Sequence, residues 1–128
     1  MIAVDASVVL AILLNEPDGE QFRAIIEVSG GVMSPVNYWE VLARSHSDAG
    51  EAGAERARAL VEGLGLEVAD ISRRDTELAF EAFTRFGKGS GGPLNLGDCF
   101  AYAMAAIEGE GLLFKGDDFP KTDITSAR

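Results

Sequence analysis

Ile2-Ala3-Val4-Asp5-Ala6-Ser7-Val8-Val9-Leu10 is the stretch on which the fold turns. Residues 2–5 read as a short buried strand, apolar and partly β-branched. Ala6 then opens an apolar helical run that reaches Asn15, just ahead of Glu16-Pro17. A buried strand passing directly into a helix, with an acid at the junction, is how an α/β unit begins. The alternation continues downstream. Residues 18–29 carry Phe22, Ile25, Ile26 and Ser29 at helical spacing and stop at Gly30-Gly31. Val32-Met33 is a brief strand, and Ser34-Pro35 supplies an N-cap and N1 pair for a helix running to about Ala49. Gly50 and Gly53 mark a turn, residues 55–63 a helix and residues 66–69 a strand. Ser72-Arg73-Arg74-Asp75 resembles a capping box with Asp in place of Glu, and the helix after it carries Ala79, Ala82, Phe83 and Phe86 on one face. After a loop at 87–93, an Ala-rich helix starts at Asn95 or Gly97 and runs through Ile107. Strands follow at 111–114 and, briefly, at 122–125. Strands alternating with helices predict a single α/β domain over residues 1–128, with a central, mostly parallel sheet of four to five short strands flanked by helices.

Composition narrows the function classes. The chain has 128 residues, 47% hydrophobic and 25% charged, which suits one domain with a real core. No apolar run reaches the roughly 20 residues of a bilayer span, and no basic, apolar leader opens the chain. A lone Cys99 forms no internal disulfide. The expectation is a cytoplasmic protein that does not engage membranes. The net charge of -10 is opposite in sign to that of most free nucleic-acid binders. Bound divalent cations or local basic patches would offset the repulsion. The same surface suits a basic protein partner.

In parallel sheets ligands sit beyond the carboxyl ends of the strands, and acids cluster there. Asp5 ends the first strand. Glu40 lies inside the helix from Pro35, on a face with Val36, Ala43 and Ser47. Asp98 falls in the first turn of the Ala-rich helix. Asp117 and Asp118 follow the strand that contains Leu112, and Asp123 comes shortly after. Each has a plain local reading, as a cap, a solvated helical acid or a turn residue. Together at one sheet edge they cannot all stay ionised without a counter-charge. Mg²⁺ supplies it, with Mn²⁺ able to substitute, because both prefer oxygen ligands. A pair of such ions about 4 Å apart activates water and stabilises the leaving oxygen of a phosphodiester.

Other chemistries are poorly supplied. His46 is the single histidine, so no two-histidine acid–base pair exists. Cys99 lies in an apolar helix without an evident base. Gly87-Lys88-Gly89-Ser90-Gly91-Gly92 follows a helix rather than a strand and lacks the phosphate-loop spacing.

Four stretches, in order, resemble the PIN-domain family: Val4-Asp5-Ala6-Ser7, then Asn37-Tyr38-Trp39-Glu40-Val41-Leu42, then Leu94-Asn95-Leu96-Gly97-Asp98-Cys99, and finally Leu112 through Phe119 with Thr122-Asp123-Ile124. The last is similar to the terminal motif of the VapC toxins. The resemblance covers nearly the whole chain. It implies a PIN-like fold and a Mg²⁺-dependent endoribonuclease that cleaves structured RNA, such as tRNA or rRNA. It also implies a toxin neutralised by a cognate VapB-like antitoxin, a homodimer, and a heterotetramer or larger complex that reaches operator DNA only through the antitoxin.

Carried over residue by residue, Asp5, Glu40 and Asp98 match the three main acids, and Ser7 matches the small hydroxyl residue near the first. The fourth acid stays divided. The family's Thr-x-Asp-x-Asp-Phe aligns Phe114 with the Thr and Gly116 with the first Asp, leaving Asp118 in register and Asp117 beside it; Asp123 is a weaker match. On this reading Asp5 and Asp98 hold a Mg²⁺ with Asp118 or Asp117. Glu40 binds a second ion or orients the attacking water, and Ser7 contacts a ligand water or the phosphate. Arg73, Arg74, Arg85 and Lys88 are candidate RNA contacts. Two alternatives are a receiver-type signalling domain, which lacks its acidic pair after Asp5, and a PIN fold that binds without cutting.

Overall fold

Ile2, Val4, Met33 and Leu113 face one side of the sheet, while Ala3, Val32 and Leu112 face the other. Side chains alternate across a strand, so apolar residues at consecutive positions mean that both faces are covered. The structure, a computed structural model, describes residues 1–128. The element order is β1 (Ile2–Val4), α1 (Ala6–Leu13), α2 (Gly19–Ser29), β2 (Gly31–Met33), α3 (Pro35–Gly63), β3 (Glu67–Val68), α4 (Arg73–Phe86), α5 (Leu96–Glu108) and β4 (Leu112–Leu113). Short 3-10 turns occupy Lys88–Ser90 and Phe119–Lys121. The four strands pair in the order β3-β2-β1-β4, and every pairing is parallel.

Helices α1, α2 and α3 close the first face over Val8, Val9, Phe22, Ile26 and Val41. Helices α4 and α5 close the second over Ala79, Ala82, Leu94, Ala101 and Met104. Alanines along α5 let its axis lie close against β1. The sheet order puts β1 between the strand that precedes α3 and the strand that follows α5. The reversal of winding at β1 is where a doubly wound sheet opens a crevice at its carboxyl edge. A receiver domain would instead run 2-1-3-4-5.

Three expectations change. The turn between helices after Ala49 is much shorter than a Gly50-to-Gly53 loop. Only Ala49 and Gly50 leave helical geometry, and Gly50 takes φ 65°. Gly53 sits within the second arm, where a Cβ would meet the Ser45 carbonyl oxygen at 2.3 Å. The glycine is therefore there for close packing between the two arms. No strand forms at 122–125: a single bridge joins Leu112 to Ser126. Asp123, in that stretch, instead accepts hydrogen bonds from Tyr102 and Arg85.

Candidate active site

Asp5 follows β1 and caps α1 with extended backbone, φ -78° and ψ 156°. Its Oδ2 accepts from the Ser7 backbone N–H at 3.1 Å and from the Ser7 hydroxyl at 2.6 Å. The Ser7 Oγ in turn accepts the Lys115 backbone N–H at 3.0 Å. The hydroxyl's one proton is thus directed to Asp5, and the serine ties the exit of β4 to the start of α1.

Glu40 stands in the second turn of α3, three residues beyond the fully buried Asn37. The Asn37 Nδ2 donates to Glu40 Oε1 at 2.8 Å and to the Gly97 carbonyl at 3.0 Å, which joins α3 to α5. A Cβ at Gly97 would lie 2.3 Å from both Glu40 carboxylate oxygens. Glycine at 97 thus leaves the Glu40 carboxylate its place against the first turn of α5.

Asp98 is the third residue of α5 and half of a capping box. Its N–H donates to Asn95 Oδ1 at 2.9 Å, and its Oδ2 accepts the Asn95 N–H at 3.1 Å. The local reading of Asp5 and Asp98 as helix-start acids is therefore true, and it is also what holds them in place.

The three carboxylates open into one cavity of about 380 Å³, with Ser7, Trp39 and Arg44 also on its wall. Each is tethered through one oxygen. Asp5 Oδ1, Glu40 Oε2 and Asp98 Oδ1 carry no protein hydrogen bond. None of the three forms an ion pair. Burial pushes the Asp5 carboxyl up, with the charge of Glu40 adding to it. Burial also raises Glu40, helped by Asp98. Asp98 is raised to about 6, by burial first and then by the charges of Asp5 and Asp118.

Such a set asks for a cation. Its donors are all oxygens, which suits a hard divalent ion. No three of the acids close a cage around one point. Mg²⁺ commonly takes one or two carboxylates and keeps several waters, so the residues fit it.

The remaining candidates separate. Asp117 and Asp118 are both exposed in the turn after β4, and the charge of Asp118 is the one that reaches Asp98. Asp123 is held below the usual carboxylate range by the Tyr102 hydroxyl and by Arg85, whose Nη2 lies 2.8 Å from it. It ties α4, α5 and the C-terminal segment together rather than joining the cavity. Arg85 is engaged in the same tie. Lys88 lies near enough to pull Asp98 downward. Arg73 and Arg74 begin α4, whose other end adjoins the start of α5 through the Gly87–Leu94 bridge. Neither arginine lines the cavity that holds Asp98.

Sequence reading overlooked Asn37 and Gly97. The signals were available: an Asn three residues before a site Glu, and a Gly inside the first turn of a helix.

The profile of the PIN domain family matches residues 2–124. The chain belongs to the PIN-domain family. Among PIN domains it is similar to the VapC ribonucleases. Ribonuclease VapC30 of Mycobacterium tuberculosis is 34% identical over 125 residues, spanning 96% of this chain and 95% of that one. Ribonuclease VapC42 of the same organism is 35% identical over 127 residues, spanning 97% of each. Two solved structures share the PIN fold at 16% identity. One is M. tuberculosis VapC20, a sarcin-ricin loop cleaving toxin, with TM-score 0.75 over 98% of this chain and 97% of that chain. The other is Rickettsia felis VapBC2 bound to a promoter DNA fragment, with TM-score 0.73 over 96% and 94%. PIN membership removes the receiver alternative.

Proposed function

We propose that this PIN domain is a Mg²⁺-dependent endoribonuclease, the toxin of a VapBC-type pair. The observation that carries the reading is the cavity where Asp5, Glu40 and Asp98, from three separate elements, each present a free oxygen with no cation of the chain paired to them. A divalent ion bound there supplies counter-charge and Lewis acidity toward the phosphate. Asp5 and Asp98 would hold it, and the negative charge of Asp118 in the turn after β4 would add to its attraction. Glu40, raised by burial and steadied by Asn37, orients the attacking water and takes its proton. Water adds to phosphorus, the bond to the 3′-oxygen breaks, and that oxygen takes a proton from solvent water to leave as a hydroxyl opposite a 5′-phosphate. Ser7 acts through Asp5, and Lys88 contacts the RNA backbone near Asp98.

The name of VapC20 supports a structured RNA substrate, and the R. felis complex supports a VapB-like antitoxin with operator DNA bound through the pair. A net charge of -10 suits a basic antitoxin segment. We place the protein in the cytoplasm as a homodimer; no helix is long and apolar enough to cross a membrane. The test is cleavage of total RNA in Mg²⁺ by the wild type and by Asp5→Asn. Activity that survives in Asp5→Asn, or in excess EDTA, overturns the reading.

A further inference from the structure

Trp39 is the chain's single tryptophan, and it is 67% exposed. Its neighbours in α3 behave differently: Tyr38 packs against the core and Val41 is fully buried. Trp39 instead forms part of the wall of the acid cavity, one residue before Glu40. Its indole N–H has no acceptor in the protein. Arg44 lies on the same wall, one helical turn beyond Glu40. Asp48 accepts from the Arg44 Nε at 2.9 Å, which steadies the guanidinium and leaves both terminal nitrogens free. An aromatic plane, a guanidinium fork and three acids with free oxygens thus surround one opening.

We infer that Trp39 is the stacking platform for an unpaired nucleotide beside the cleaved phosphate, and that Arg44 grips the adjoining phosphate. The inference rests on the nuclease reading and narrows it to substrates with a splayed base at the cut. Stacking uses the π-face that every base has and needs no positive charge, so it is a contact available to a chain of net charge -10. A base inside a duplex is already stacked and cannot reach the indole, so loops, bulges and single strands are selected. A protein covering the indole is the competing occupant. A guanidinium fork and free acid oxygens around one cavity favour a phosphate-bearing ligand over an apolar partner face.

Because the chain has one tryptophan, its fluorescence reports on this site alone. In Mg²⁺ buffer, Asp5→Asn is titrated with a mixed-sequence, non-self-complementary single-stranded RNA of about eight nucleotides, the duplex of that strand with its complement, and a series with one abasic position moved along the strand. Single strand is expected to quench the emission, duplex to bind at least about tenfold more weakly, and one abasic position to remove most of the quenching. Anisotropy of the labelled strand should show Trp39→Ala binding roughly 5- to 100-fold more weakly and Trp39→Phe within about threefold of the parent. Arg44→Ala should lower the slope of log affinity against log salt by about one. Binding by anisotropy without quenching, or equal affinity in Trp39→Ala, overturns the inference. So does a Trp39→Ala variant that keeps its RNA affinity but dissociates in sedimentation, which would assign the indole to a contact between copies. Wild-type cleavage, run in parallel, separates the two readings. Quenching without cleavage sinks the nuclease and keeps the platform; cleavage at unchanged kcat/KM in Trp39→Ala does the reverse.

Discussion

Two cavities of nearly equal size flank the first turn of α5. One, about 380 Å³, receives Asp98 together with Asp5 and Glu40. The other, about 390 Å³, lies between α4 and α5 and is walled by Phe80, Phe83, Leu96, Cys99 and Phe100. Volume does not distinguish them. What differs is the state in which each leaves its groups. The acid cavity holds carboxylates that burial and mutual repulsion push toward protonation, with free oxygens and no ion pair. The apolar groove holds no carboxylate, and its Phe80 and Leu96 are largely exposed. A pocket whose own groups are under strain, relieved by an ion of the right charge, points to chemistry. Exposed apolar area points to contact, and it leaves the partner unnamed.

The difference can be broken most directly by substitution on either side of α5. Asp98→Asn, and separately Asp5→Asn, should lower kcat/KM for RNA by at least about 100-fold with circular dichroism unchanged. Phe80→Ser in the apolar groove should leave kcat/KM within about twofold. Comparable losses from both cavities would erase the distinction. Gly97→Ala asks whether close approach is as important as charge. The added methyl forces the flexible Glu40 carboxylate aside, so stability on denaturant titration should change by less than about 1 kcal/mol while cleavage falls by roughly tenfold or more.

A subtler effect concerns the strain itself. Asp98 titrates near 6 in the folded chain against 3.8 for the ordinary group. The folded form therefore binds the proton more tightly. Its contribution to stability is complete below about pH 3.8 and is lost as pH rises through about 6. In metal-free buffer Asp98→Asn should then be more stable than wild type at pH 7.5, by about 1–2 kcal/mol after allowing for partial exposure, and no more stable near pH 4. Mg²⁺ should raise the wild-type Tm at pH 7.5 and lose that effect below about pH 6, where the acid is protonated. A variant less stable than wild type at both pH values would show that the capping role of Asp98 outweighs its burial.

Among the residues of the acid cavity, the smallest loss of activity is expected at Ser7. Ser7→Ala removes one hydrogen bond to Asp5 and leaves the Lys115 N–H unpartnered, so kcat/KM should drop by about 5- to 20-fold with little change in KM. A rise in KM alone would return the hydroxyl to the role of phosphate contact.

Much of this was legible along the chain. The alternation of apolar strands with capped helices announces the α/β class, because periodicity and capping act within about four residues. The placement of Asp5, Asp98 and the Asp117-Asp118 pair beside strand ends and helix starts follows from the same local rules. The sequence by itself thus determined the elements and the acids at their ends. Tertiary structure alone decided which acids meet. Glu40 reaches Asp98 only because the sheet order brings α3 beside α5 and Gly97 leaves its carboxylate room, and Asn37 bonds to Gly97, 60 positions away. Asp118, rather than Asp117, comes within electrostatic reach of Asp98, while Asp123 is drawn off by Tyr102 and Arg85. Such choices depend on long-range packing, which no window of neighbouring residues encodes, because a side chain's partner across a fold is set by strand order and close contact rather than by distance along the chain.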